Sequence, residues 1–311
     1  MQIGVVGPGG VGGYFSSRWA EAGRDVVVLA RGTHLEAIQD HGLALRSPLG
    51  EATVRLKATD QPSGLKESDV VVFATKTWQL PSAFEQVRPH LRADATLLGL
   101  QNGVESIRVF GNADSTLGVL GGTCRVISYV EKPGYIRHQG LSPTITLGEP
   151  AGGSSDRATR TAEFLNVQDR VSVTVSGDIV GDLWRKFLPF SAISGVGSYV
   201  DEPIGVVLTG PKNRALVTSA IAEAAAVGRA LGVDLEEDAE ERALAFLDTV
   251  PADGTSSMYR DFKASRRTEI EATSGYLCRT GRDFGVPTPS HAMIYEALLP
   301  LDLAARGEFD T

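Results

Sequence analysis

A chain of 311 residues with 42% hydrophobic and 22% charged side chains has the make-up of a globular protein of about two domains, long enough to bury a sizeable core. Its formal charge of −8 argues against a broad nucleic-acid-binding face, so any anionic ligand must be held by local positive charge. Two cysteines, Cys124 and Cys278, make no disulfide framework, and neither a cationic-apolar leader nor a long apolar run is found; a cytoplasmic protein with no membrane partner is expected.

The apolar run Ile3-Gly4-Val5-Val6 reads as a first strand, and residues 11–22 as a helix. Between them lies Gly7-Pro8-Gly9-Gly10-Val11-Gly12, a G-x-G-x-x-G in the strand-to-helix setting of a dinucleotide site. The first glycine permits a tight turn, the second lets the backbone approach a pyrophosphate, and the third lets helix and strand pack closely. The helix start adds N–H groups and the positive end of its dipole. Asp25-Val26-Val27-Val28-Leu29 completes a β-α-β unit. An NAD site usually carries an acid after this strand, to accept hydrogen bonds from the ribose 2′-OH. Here the chain reads Ala30-Arg31-Gly32-Thr33. An acid would repel a 2′-phosphate and a guanidinium can bind one bidentately, so NADP(H) is the expected cofactor, with Arg31 on its phosphate. The plainer alternative is a solvated arginine at a strand end.

A helix near residues 34–40 comes next, then a peripheral hairpin of residues 43–46 and 53–56. Residues 69–74 and 96–100 read as buried parallel strands. Shorter strands are expected at 117–120, 124–130, 135–138 and 144–147, a helix at 155–165 and a strand at 171–175. The alternation predicts an α/β fold with an N-terminal Rossmann-type doubly wound sheet. Ligands of such sheets sit beyond the carboxyl ends of the strands, where Lys76 (in Thr75-Lys76-Thr77-Trp78-Gln79) and Asn102 (in Gln101-Asn102-Gly103) become candidates. A solvated helix start and a simple turn are their alternatives.

From Asp178 the texture changes, with helices expected at 179–193, 213–231, 235–248, 257–264, 270–284 and 291–305. The reading is therefore residues 1–177 as an NADP(H)-binding domain and 178–311 as an all-α substrate and catalytic domain. Trp184-Arg185-Lys186 precedes the mostly apolar Phe187-Leu188-Pro189-Phe190, an unusual setting for an ammonium unless the lysine snorkels. Polar clusters at 255–261 and 266–271 read from spacing alone as solvated helix faces. Five scattered histidines lack ligand spacing, and no metal site is expected.

In order and spacing, Gly7-x-Gly9-x-x-Gly12, Arg31, Lys76-Thr77-Trp78-Gln79, Gln101-Asn102-Gly103, Trp184-Arg185-Lys186, Ser256-Ser257-Met258, Thr268-Glu269-Ile270 and Pro287-Thr288-Pro289 together resemble the ketopantoate reductase family, over essentially the whole chain. The resemblance implies a Rossmann domain, a helical domain, NADPH as hydride donor and a 2-oxo acid as acceptor. It also implies that Lys186 protonates the carbonyl oxygen, that Glu269 assists it and that Ser257 touches the substrate carboxylate. Lys76 and Asn102 would line the cofactor and substrate cleft. A lysine suits that role, because hydride addition leaves negative charge on oxygen and an ammonium supplies both charge and proton. The family usually carries Asn four and eight residues beyond the catalytic lysine, where this chain has Phe190 and Ser194. Ser194 stays a substrate-binding candidate, and Phe190 removes a donor and an acceptor, which should shift substrate preference. Pro189 is expected to kink that helix. The expected activity is reduction of 2-dehydropantoate to pantoate. The alternatives are the same chemistry on another ketone or 2-oxo acid, and an NADP(H)-binding sensor without turnover. A homodimer is left open.

Overall fold

The computed structural model describes residues 1–111 and 117–308, and the chain divides into two units, Met1–Val180 and Gly181–Thr311. In the first, β1 (Gln2–Val6), α1 (Gly10–Glu21) and β2 (Asp25–Leu29) form the opening β-α-β unit, with β1 and β2 parallel from Gln2↔Asp25 to Val6↔Leu29. The chain then passes through α2 (Gly32–His41), the antiparallel pair β3 (Leu43–Arg46) and β4 (Ala52–Val54), and β5 (Lys57–Thr59). Next come β6 (Val70–Phe73), α3 (Leu80–Val87), β7 (Thr96–Gly99) and α4 (Ser106–Gly111). The long strands β8 (Gly118–Lys132) and β9 (Tyr135–Gly148), then α5 (Asp156–Leu165) and β10 (Ser172–Ser176), complete the unit.

All ten strands join one sheet in the order β4-β3-β9-β8-β7-β6-β1-β2-β5, with β10 also on β9. Strand order reverses at β1, which β2 and β6 flank in parallel, so a crevice opens beyond Val6 and Phe73. Side-chain alternation explains the two covered faces. Ile3, Val5, Val26, Val28, Val70 and Val72 pack beneath Tyr14, Phe15 and Trp19 of α1. Val6, Val27, Val71 and Phe73 form the opposite face with Leu80, Phe84 and Val87 of α3 and Phe110 of α4. The Phe73 ring centroid lies 5.9 Å from that of Phe84 and 5.0 Å from that of Phe110.

The expected doubly wound sheet is present, with differences in its second half. The four short strands expected between 117 and 147 are two long ones, which pair antiparallel with register shifts between Arg125 and Ile127 and between Val130 and Lys132. β8 changes partner along its length: Gly118–Leu120 run parallel to β7, and the rest pairs with β9. The hairpin of residues 43–56 does lie at the sheet edge, but residues 57–59 leave it to pair with β2 as β5.

The second unit is helical: α6 (Ile179–Val200), which begins two residues before the division, α7 (Ile204–Thr209), α8 (Pro211–Ala230), α9 (Ala239–Asp248), α10 (Ser257–Lys263), α11 (Ser274–Phe284) and α12 (Pro289–Arg306). α6 continues through Pro189 and past the expected end at residue 193. Gly195, within this extension, gives Ile294 of α12 room: a Cβ there would lie 3.1 Å from the Ile294 Cγ2. Fully buried His291 ties three helices, its Nε2 bonding to the Ala220 carbonyl of α8 (3.0 Å) and its Nδ1 to the Ser274 hydroxyl of α11 (3.1 Å). Among the described residues no helix is long and apolar enough to cross a membrane.

Candidate active site

β1 ends at Val6, and Gly7 turns the chain with a φ of +86° while its N–H donates to the Leu29 carbonyl (3.1 Å). A side chain there would be strained, and its Cβ would lie 2.7 Å from the Thr75 Cγ2. At Gly12 a Cβ would fall on the Gly7 carbonyl oxygen, so the third glycine is required by the turn the first one makes. Gly9 differs, because nothing lies within 4 Å of where its Cβ would stand. It precedes α1 in extended conformation, and no side chain bonds to the first-turn N–H groups. An open surface with backbone donors fits a pyrophosphate.

Around this loop is a cavity of about 240 Å³, walled by Gly7, Pro8 and Gly9, by Leu29 and Ala30 at the end of β2, and by Arg31, His34, Thr75, Gln79 and Gln86. Arg31 is exposed and extended, immediately before α2. With the glycine loop and Arg31 both in its wall, the residues present fit a dinucleotide. Gly10, Val11 and Gly12 enter α1 and do not line the cavity.

Lys76 and Asn102 stand on the next two strand ends, outside the wall of this cavity. Lys76 starts a single 3₁₀ turn, its backbone N–H on the Gln79 Oε1 (3.3 Å) and its Nζ 5.7 Å from the Trp78 ring centroid. Asn102, half-buried, follows Gln101, whose buried amide donates to the Phe73 carbonyl (3.0 Å). Gln101 thus ties the end of β7 to the end of β6 and brings the two candidate loops together.

In the helical unit Lys186, Phe190 and Ser194 recur every four residues on one face of α6. Lys186 and Phe190 are half-buried, whereas Ser194 is fully buried and its Oγ has no hydrogen-bond partner among the described residues. Trp184 and Phe187 on the same helix pack against Tyr276 of α11, with centroids 6.4 and 6.3 Å apart. Glu269, only 4% exposed, lies in the lead-in to α11. The Thr273 hydroxyl donates to the Glu269 carbonyl (3.1 Å) and contacts the Met258 sulfur (3.8 Å), which joins this segment to α10. Ser257 opens α10, held by Ser256, whose Oγ accepts from the Tyr259 N–H (3.0 Å). The structure so assembles the Ser257 and Glu269 segments, and packs the turn that bears Lys186 against the helix that Glu269 leads into. The polar clusters read as solvated faces contain buried members, Asp261, Thr268 and Glu269. Thr75 and Gln79 flank the strand-end candidate Lys76 and line the cavity in its place, whereas nothing in their spacing marks His34 and Gln86.

Residues 3–152 match the family described as ketopantoate reductase PanE/ApbA, and residues 178–302 its C-terminal counterpart. A 2-dehydropantoate 2-reductase of Mesorhizobium japonicum is 32% identical, over 93% of this chain and 94% of its own. An uncharacterized oxidoreductase of Bacillus subtilis is 29% identical, over 96% of this chain and 98% of its own. Among solved structures, a PanE/ApbA family ketopantoate reductase from Ralstonia eutropha superposes with a TM-score of 0.90 at 26% identity, over 98% of this chain and 100% of that one. By both halves of its sequence the protein belongs to the ketopantoate reductase family, and it is an oxidoreductase acting on CH–OH groups.

Proposed function

We propose that the protein is an NADPH-dependent reductase of a 2-oxo acid, with 2-dehydropantoate as the first substrate to test. The carrying observation is the cavity that sets Arg31 beside the glycine loop, where an NAD site would present an acid. Bound there, reduced nicotinamide supplies a hydride to the substrate's carbonyl carbon. Arg31 would hold the 2′-phosphate through its planar fork, and the backbone of Gly7 to Gly9, with the start of α1 behind it, would face the pyrophosphate. Lys76 and Asn102, on adjoining strand ends, would line the nicotinamide end of the site. Lys186 gives a proton to the carbonyl oxygen as negative charge develops on it. Glu269 orients that ammonium and balances its charge before substrate arrives. Ser257 donates to the substrate carboxylate, and the buried Ser194 hydroxyl is a further donor for a polar substituent.

A second reading keeps this chemistry and changes the acid. Phe190 lies one turn beyond Lys186 on the same face of α6, where a phenyl ring favours a branched or aromatic chain over a hydroxylated one. Turnover measured by loss of NADPH absorbance on ketopantoate and on 3-methyl-2-oxobutanoate separates the two. A preference for ketopantoate supports the first reading, and equal or inverted rates assign the site to an unhydroxylated acid. Fluorescence titration with both cofactors tests Arg31, and NADH binding as tightly as NADPH removes its role.

A further inference from the structure

His34 stands in the wall of the dinucleotide cavity, three residues past Arg31. One ring nitrogen, Nε2, lies 2.8 Å from the Pro8 carbonyl oxygen, inside the glycine loop. The other, Nδ1, accepts the Gly134 N–H at 3.0 Å, from the turn between β8 and β9. Both partners are backbone groups with fixed roles, an acceptor and a donor. The ring is therefore neutral, with its proton on Nε2; a proton on Nδ1 would forfeit the bond from Gly134.

This bridge bears on the cofactor because Pro8 and Gly9 share a peptide plane. In a trans peptide the carbonyl and the following N–H point in opposite directions, so holding the Pro8 carbonyl on His34 sets the direction of the Gly9 N–H. Gly9 is the open position at the start of α1. The far end of the bridge is itself anchored. Gly134 has a φ of +76°, its carbonyl accepts from the Ala44 N–H (2.9 Å), and a Cβ on it would lie 3.0 Å from the Ala37 Cβ of α2. The β8–β9 hairpin also touches the loop directly, since a Cβ on Gly10 would fall on the Ser128 carbonyl. A glycine-rich loop otherwise has to be ordered at the expense of binding energy.

We infer that His34 is a positioning residue for the dinucleotide: it pre-sets the glycine loop by clamping the Pro8 carbonyl to the β8–β9 turn. The inference rests on the dinucleotide reading of the cavity and adds to it a role that carries no charge. His34→Ala therefore weakens NADPH and NADH alike, by about three- to tenfold in Kd, the worth of one or two neutral hydrogen bonds. Arg31→Ala, by contrast, weakens NADPH selectively. Gln presents an amide donor and a carbonyl acceptor spaced like the two ring nitrogens, so His34→Gln restores affinity to within about twofold of wild type.

The test is fluorescence titration of the full-length protein and both variants with NADPH and with NADH, together with ¹⁵N imidazole spectra of the cofactor-free wild type. Equal weakening of both cofactors in His34→Ala, rescue in His34→Gln, and a single neutral Nε2–H tautomer support the role. Unchanged affinity in His34→Ala, failure of Gln to rescue, or an Nδ1–H or mixed tautomer overturns it; the spectrum decides on wild type even where a variant does not fold. Wild type that binds neither cofactor overturns the dinucleotide reading as well, whereas binding unaffected by His34→Ala overturns this inference alone.

Discussion

Two cations divide the proposed chemistry, and they predict opposite signatures. Lys186→Ala is expected to lower kcat by about 10²–10⁴, the usual worth of a positioned proton donor, with the Kd for NADPH nearly unchanged. Stopped-flow turnover and cofactor titration read the two quantities separately. Arg31→Ala is expected to raise the Kd for NADPH by roughly ten- to a hundredfold, as charge-assisted bonds are lost, and to leave NADH binding almost untouched. Both residues stand out in the sequence: Lys186 heads the mostly apolar stretch Phe187 to Phe190, its role being implied by the family resemblance, and Arg31 stands where an acid is usual. His34 carries no such mark. Its partners are backbone groups 26 and 100 residues away, so only the folded chain shows the bridge.

At the scale of elements, the lead-in to Glu269 is held by one buried carboxylate. Asp302 of α12 accepts from the Thr268 N–H (2.6 Å) and hydroxyl (2.8 Å) and pairs with Arg306 one turn along the helix. Asp302→Ala leaves the mostly buried Arg306 with the longer pair to exposed Glu308 (3.6 Å) and frees the Thr268 N–H and hydroxyl, and a loss of about 3 kcal/mol in unfolding free energy is expected from urea titration. The His291 tie sets a pH dependence. Burial holds its pKa below the ordinary 6.5, against the opposing pull of Glu223. The fold therefore keeps this ring neutral while the unfolded chain takes up a proton, so its contribution is complete above about pH 6.5 and is lost as the pH falls. Thermal midpoints measured from pH 7.5 down to pH 5 should fall, and less steeply in His291→Gln. Sequence patterning found the elements whose period is regular and misplaced those whose backbone is satisfied by distant neighbours. Gly121 and Gly122 fall between two expected strands, yet β8 runs through them because Gly148 and Leu147 of β9 pair with them; Gly140, with a φ of +86°, lies where the β8–β9 register shifts. β5 is too short and polar to announce itself, and α7 is a six-residue helix between Pro203 and Gly210.

For the whole molecule, an isoelectric point near 5.2 means that repulsion between copies disappears in the same acid range that charges His291 in the unfolded chain. Light scattering at low salt is expected to peak near pH 5.2 and to vanish by pH 7.5. The change from strand-rich to helix-only texture was legible because it needs only composition and period. The place of β3 in the sheet was not, since Ala44, Leu45 and Arg46 find Tyr135, Ile136 and Arg137 across nearly a third of the chain. That pairing has a consequence for synthesis. A growing polypeptide delivers β3 long before β9, and until the later strand leaves the ribosome one flank of β3 offers its peptide groups to any passing chain. Translation that stalls between these two strands would release fragments prone to clump, so the safe assembly of this enzyme depends on how promptly its middle section is made.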